Sequence, residues 1–475
     1  MKILLTGATG YIAQRLLPVL LQNGHEVVCC VRDKSRFNPE RYPGANLSVI
    51  EVNFLDEKTT DQIPRDIDIA YYLIHSMSTN IGDFAKMEDV SARNFRFRIG
   101  QTNARQVIFL SGITNNLKLS KHLSSRKNVE DILKSDTYSL TTLKAGIIIG
   151  SGSASFEIIR DLIEKLPVMI TPRWLNTRSQ PIAIRNVIDY LFGVLDNKPT
   201  FNNSYDIGGP EVLTYKEMLL RFARVRGLKR IIWVVPVMTP RLSSYWLYFV
   251  TSTSYSLAIN LVNSMKVEIV CTENNLNDLL GNIHLIGYDQ AIQLAFGKIE
   301  QNQVVSSWKD ALTSSTLNKG ISQHIQVPVN GCFTDIRKVK IDNAERVLQN
   351  IWSIGGTNGW FYGNWLWRIR GIIDKLTGGV GLRRGRKNPT ELYAGEALDF
   401  WRVLLADKEE KRLLLYAEMK LPGEAWLEFK ITKNNELIQT ATFRPLGVWG
   451  RNYWYAVLPF HGFIFKGMIN NIAKA

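Results

Sequence analysis

Two rhythms of apolar and polar positions alternate along the first 300 residues. Short, nearly unbroken apolar runs at Ile3 to Leu5, Glu26 to Val31, Leu47 to Val52, Ile67 to Ile74, Gln106 to Leu110 and Leu140 to Ile149 have the length of strands buried on both faces. Between them the spacing lengthens: Ile12, Leu16, Leu17, Val19 and Leu20 share one side of a helix, and Phe84 to Gly100 and Phe156 to Leu166 read as further helices. Strands alternating with helices predict a parallel, doubly wound α/β sheet. Pro167 to Arg178 reads as loop, and Gln180 to Ile184 leads into another helix.

Residues 306–325 are polar and aperiodic, which divides the chain into a domain at 1–305, a linker, and a domain at 326–475. In the second domain strand-like runs follow one another at Cys332 to Ile341, Glu396 to Leu405, Arg412 to Lys420, Ala425 to Thr432 and Glu436 to Arg444. Asn343 to Trp352 is amphipathic, and Trp454 to Ile472 closes the chain as a helix.

The first strand runs straight into Gly7-Ala8-Thr9-Gly10-Tyr11-Ile12 and then into a helix. Glycine at 7 permits a tight turn, and glycine at 10 lets a pyrophosphate approach the backbone at the positive end of that helix. These residues are the expected phosphate cradle of a dinucleotide. The second strand ends at Arg32-Asp33-Lys34. An arginine there suits a 2′-phosphate, so NADP(H) is expected ahead of NAD(H).

These residues, with Asn53-Phe54-Leu55-Asp56, Tyr71 to Met77, Leu110 to Ile113 and Lys144 to Gly150, resemble the atypical short-chain dehydrogenase/reductases, close to the NmrA-like NAD(P)-binding proteins. Tyr205 to Pro210 is similar to the late strand and turn of extended members. The resemblance implies that Asn53 and Phe54 meet the adenine and that Ala145 and Gly146 meet the nicotinamide; His75 lies beyond the carboxyl end of the fourth run, where open α/β sheets place ligands, and is a candidate contact to the cofactor or substrate. It puts Ser111 at the catalytic serine position. The tyrosine–lysine pair of those enzymes is replaced: His122 stands at the tyrosine position and Arg126 at the lysine position. A neutral imidazole can carry a proton, whereas a guanidinium cannot act as a base, so hydride transfer would have to run through His122 and Ser111 with Arg126 on the ribose or a substrate carboxylate. A non-catalytic redox sensor of NmrA type is the competing expectation. The whole chain is similar to an uncharacterised bacterial family that joins such a domain to a C-terminal domain of unknown function. That second domain looks like the START-like, or SRPBCC, helix-grip fold, an α+β architecture which would enclose an apolar or aromatic ligand, quinone-like in the favoured reading. Trp360, Phe361, Trp365, Trp367, Trp401, Trp426 and Trp454 are its candidate lining or core, and Arg383, Arg384, Arg451 and His461 its polar mouth.

Composition refines this picture. Eight of 12 tryptophans lie in 331–475, and the net charge of +15 divides into +7 before residue 331 and +8 after it. The charge is spread, and no zinc-finger spacing or RNA-binding aromatic motif accompanies it, so nucleic acid is not expected as a partner. Cys29, Cys30, Cys271 and Cys332 lack metal-ligand spacing, so no metal site is expected. Neighbouring Cys29 and Cys30 should face opposite sides of a strand. Without a secretion signal at Met1, a cytoplasmic protein with reduced thiols is expected. Residues 243–261 are uncharged over the length of a membrane span but carry Thr251 to Ser254 and Asn260, which favours a buried or interfacial helix. Together with the basic excess they leave peripheral membrane contact, or a lipid-carrier role, as a further expectation; substrate identity and oligomeric state stay open.

Overall fold

The computed structural model describes residues 1–34, 37, 39, 42, 44–74, 84–113, 121–235, 265–272, 274–281, 283–300, 327, 332–377, 379–381, 385–432 and 434–474. The linker at 306–325 and the uncharged stretch at 243–261 lie outside the described residues. The chain forms two compact units, Met1–Ala311 and Leu312–Ala475.

In the first unit β1 (Lys2–Leu5), β2 (Glu26–Val31), β3 (Leu47–Glu51), β4 (Ile69–Tyr72), β5 (Gln106–Gly112), β6 (Ser139–Ala145) and the strand Ser204–Ile207 form one parallel sheet. Its order is Ser204–Ile207, β6, β5, β4, β1, β2, β3. The chain therefore winds outward from β1 to β3 and then jumps back to β4, leaving a switch point between β1 and β4 where such sheets bind ligands. Alternation along β2 decides the two cores: Val27, Cys29 and Val31 join one, Val28 and Cys30 the other. Helices α1 (Ala13–Gln22) and α5 (Ile184–Gly193) bury Leu16, Leu17, Leu20, Val187 and Leu191 on the first face. Helices α2 (Phe84–Ile99) and α3 (Lys121–Leu133) bury Phe95, Ile99, Val129 and Leu133 on the other.

Two differences from the apolar pattern have local causes. The run ending at Ile149 divides at Gly146, where the Gln180 backbone packs so closely that a Cβ would come within 2.7 Å of its carbonyl oxygen. The backbone leaves the sheet there, and Ile148–Ile149 pairs instead with Ile182–Ala183. The supposed loop at 167–178 contains a strand, Val168–Pro172, paired in parallel with Ile231–Val235. Prolines at both its ends obscure it, yet proline is tolerated at the ends of a two-stranded edge pair.

The second unit is a six-stranded antiparallel sheet in the order 333–340, 436–445, 423–431, 412–417, 401–407, 397–398. Its inner face packs on helices Ala344–Trp352, Asn364–Leu376 and Gly447–Lys474 around Trp352, Trp360, Trp367, Phe400, Phe429 and Met468. The run from Glu396 to Leu405 is a hairpin rather than one strand, since Asp399 turns at φ 53° and its carboxylate accepts the Trp360 indole N–H at 2.9 Å. The C-terminal helix begins seven residues before Trp454 and continues through Pro459, which removes only the hydrogen bond to the exposed Tyr455 carbonyl.

Candidate functional site

The cradle is built from the end of β1. Gly7 has φ 63°, and a Cβ there would lie 2.9 Å from the Leu73 carbonyl oxygen just beyond β4, so the switch point closes only on glycine. Thr6 fixes the same junction by donating to the Tyr71 carbonyl at 2.9 Å and accepting the Leu73 N–H at 3.1 Å. Gly10 donates to the Gly7 carbonyl at 2.7 Å, and Ala8 is buried with its N–H directed to Cys30. Helix α1 starts at Ile12 with no side-chain cap and no acidic residue in its first turn. An uncapped helix end beside a glycine turn offers backbone donors and a positive dipole to an anion.

Helix α4 (Ala154–Lys165) provides the contrast. Its N-terminus already holds its own acceptors: the Ser153 hydroxyl takes the Phe156 N–H at 3.2 Å, and Glu157 takes the Gly152 N–H at 3.3 Å. Helix α1 is fastened to the loop before α4. Arg15 lies 4.0 Å over the Tyr11 ring and donates to the Ser151 carbonyl at 2.7 Å. Burial pushes the Tyr11 phenol up to about 12, so Tyr11 cannot stand in for the missing catalytic tyrosine as a base at neutral pH.

At the outer edge Arg32 follows β2 with its side chain exposed, while the adjacent Asp33 is buried. Asn53 forms a local turn, its Oδ1 accepting the Leu55 N–H at 3.2 Å. The Phe54 ring is buried 5.7 Å from Phe95, so it acts as core and leaves only its backbone for an adenine contact. On the other side Ala145 pairs in register with Gly112 and Ile207, and Gly146 lies under the Gln180 backbone. Gln180 was not singled out from the sequence; its amide bridges the Gly209 carbonyl and the Cys271 N–H at 2.8 and 3.0 Å, walling this end of the sheet.

Ser111 sits at the carboxyl end of β5, its hydroxyl buried and without a hydrogen-bond partner among the described residues. His122 lies in the first turn of α3, one turn before Arg126; its side chain, and His75 altogether, lie outside the described residues. Arg126 has protein partners. Its guanidinium donates to the Leu110 carbonyl at 2.5 Å and the Ile74 carbonyl at 3.3 Å, pairs with Glu88 at 3.4 Å, and stacks 4.8 Å over Phe109. Ser125 donates to the same Glu88 carboxylate at 2.6 Å. The arginine thus ties α3 to α2 and to the ends of β4 and β5, a role that the sequence pattern did not indicate.

In the second unit Trp360, Trp367, Trp401, Trp426 and Trp454 are buried, whereas Trp365 is exposed and Phe361 half-buried. Arg451 is exposed, and Arg383 and Arg384 lie outside the described residues. His461 packs between Trp454 and Phe465, at ring distances of 5.1 and 4.8 Å. Burial, reinforced by Arg337 and opposed by Asp335, lowers its imidazole to about 4. On the sheet below, Arg337 faces Gln439 in register and donates to Asp335 at 3.0 Å. Arg337 Nε, both ends of the Gln439 amide and His461 Nδ1 are buried without partners among the described residues. No group of three or more metal-ligating side chains occurs among the described residues.

Comparison with known proteins agrees with this division. Residues 3–103 match the NAD dependent epimerase/dehydratase family, and residues 331–468 match a family described as Protein of unknown function (DUF2867). The divinyl chlorophyllide a 8-vinyl-reductase of Cucumis sativus is 23% identical over 252 residues, which is 50% of this chain and 59% of that protein. The chain therefore spans less than two thirds of that relative's length. A nucleoside-diphosphate-sugar epimerase from Staphylococcus aureus superposes with a TM-score of 0.51 at 14% identity, covering 62% of this chain and 100% of its own. The UDP-glucose 4-epimerase of Thermotoga maritima gives 0.50 at 13%, covering 63% and 99%. The first unit has the Rossmann fold of these enzymes.

Proposed function

We propose that the chain is an NAD(P)H-binding, short-chain-reductase-like oxidoreductase that prefers NADPH and acts on an apolar or quinone-like ligand. The uncapped start of α1 beside a Gly7 that cannot carry a Cβ is the observation that carries this reading. Backbone N–H groups of Thr9, Tyr11 and Ile12 would receive the pyrophosphate, and Arg32 the 2′-phosphate. When bound, the cofactor supplies a hydride. The Ser111 hydroxyl would then donate to a ligand oxygen and His122 would deliver the proton. The match of residues 3–103 to an NAD-dependent family supports the cofactor, and the reductase named among the relatives supports a reduction. The polar atoms around Gln439 and His461 that lack partners among the described residues support a ligand-holding role for the second unit.

Titration of the purified chain with NADPH and NADH, read by energy transfer from tryptophan to the reduced nicotinamide, tests the assignment. NADPH should bind more tightly, and Arg32→Asp should cost NADPH about tenfold or more by removing a charged phosphate contact. Failure of both nucleotides to bind would defeat it. A redox sensor of NmrA type is favoured by one observation, the commitment of Arg126 to protein partners. His122→Ala separates the two: loss of turnover with cofactor binding retained supports the enzyme, and turnover unchanged removes His122 from the mechanism.

A further inference from the structure

The helix Asn364–Leu376 is built inside out for a surface helix. Trp365, Ile369, Ile372, Ile373 and Leu376 recur on one face and are 46 to 67% exposed. The opposite, buried face carries Trp367 and Gly371 but also Asp374 and Lys375. Asp374 is held there by the backbone N–H groups of Gly381 and Lys420, at 2.7 and 2.6 Å. A helix packed on a core ordinarily turns its apolar stripe inward and its charges to water, so these isoleucines were not placed for this unit's own core.

The outer side of the C-terminal helix continues the pattern. Leu446, Trp449, Phe460 and Phe463 are 55 to 81% exposed. The two helices adjoin: Tyr362, just before the first, meets the Phe463 ring at 5.2 Å, and a Cβ at Gly363 would lie 3.8 Å from Ile464. Contiguous apolar surface of this kind marks an interaction site.

Charge identifies the occupant. From Arg444 to Ala475 the chain contains Arg444, Arg451, Lys466 and Lys474 and no Asp or Glu. The first helix adds exposed Arg368 and half-buried Arg370, and its single acid, Asp374, is buried. A second copy presenting the same face would set like charges against each other. Although Arg444 pairs with Glu424 at 3.5 Å, the aromatic and aliphatic side chains are accompanied on both helices by exposed Arg368, Arg451 and Lys466, which matches the headgroup boundary of an anionic bilayer.

We propose that the second unit docks peripherally on an anionic membrane through the outer faces of Asn364–Leu376 and the first half of the C-terminal helix. Among the described residues no helix is long and apolar enough to cross a membrane, so the contact lies in the interface plane. This inference stands apart from the dinucleotide reading, because it uses none of the first unit's residues.

Sedimentation of the full chain with vesicles tests it. The chain should pellet with phosphatidylcholine–phosphatidylglycerol vesicles, about tenfold or more tightly than with phosphatidylcholine alone, and be released as salt rises. Ile369→Ser combined with Ile372→Ser should weaken vesicle binding by about tenfold or more, while the melting temperature and NADPH binding stay unchanged. A chain that remains in the supernatant with both vesicle types overturns the proposal, as does a double variant that binds like the parent. Two further results would also overturn it: a dimer in solution that the double variant dissociates, or an Ile372→Cys thiol that resists labelling in the vesicle-free monomer.

Discussion

Arg126 is where the resemblance and the geometry give different roles to one side chain, and Arg126→Met decides between them. Methionine keeps an unbranched apolar stem over Phe109 and removes the guanidinium. Glu88, 3% exposed, then loses its countercharge, and the Leu110 and Ile74 carbonyls lose their donor. Removing one partner of a buried ion pair costs about 3–5 kcal/mol, because a charge remains where water cannot reach it. The stacking on Phe109 adds up to about 2 kcal/mol in a desolvated setting. With a urea slope of about 3 kcal/mol per M, the transition of the first unit should fall by roughly 1 M or more. The double variant Glu88→Gln/Arg126→Met should recover a coupling of about 2 kcal/mol, since the uncompensated charge is gone. Urea titrations of the four proteins, followed by circular dichroism with NADPH affinity measured in parallel, supply the cycle. A transition unmoved in Arg126→Met together with a large loss of NADPH affinity would refute this reasoning and return the guanidinium to the nicotinamide ribose.

Further outcomes follow from other residues. His461 is neutral in the folded protein down to about pH 4 but takes up a proton near 6.5 when unfolded. The unfolded state therefore binds more protons between these values, so stability is fully present above about pH 6.5 and falls with acidification toward pH 4, by at most about 3 kcal/mol. His461→Phe should flatten that limb of a stability–pH curve, and an unchanged slope would show that the imidazole is solvated. Ser153→Ala should cost about 1 kcal/mol by uncapping α4, with NADPH affinity unchanged, and a lost affinity would place the α4 end in the cofactor site. Gln439→Leu should raise the thermal midpoint of the ligand-free chain by removing a buried amide that meets no partner among the described residues, and should weaken binding of a quinone-like probe. A lower midpoint would mean that ordered water already satisfies that amide.

Much of the first unit is determined by sequence-local physics. Six apolar runs, the helical spacing between them and the Gly7–Gly10 turn specify a parallel sheet with a dinucleotide cradle, because strand alternation and glycine sterics act over a few residues. Long-range approach decided the rest. The run ending at Ile149 divides where Gln180 closes on Gly146 and Ile182–Ala183 takes over the pairing, and Glu88, 38 positions away, together with Phe109 and the strand-end carbonyls, makes Arg126 a fastener. In the second unit the Asp399 turn depends on Trp360, so one apparent strand is a hairpin. The helix Asn364–Leu376 escaped recognition for a related reason: periodicity shows that one side of a segment is apolar, but which side meets the core is settled by what packs against it. Here Asp374 is drawn inward by two backbone N–H groups, and the isoleucines are left facing out.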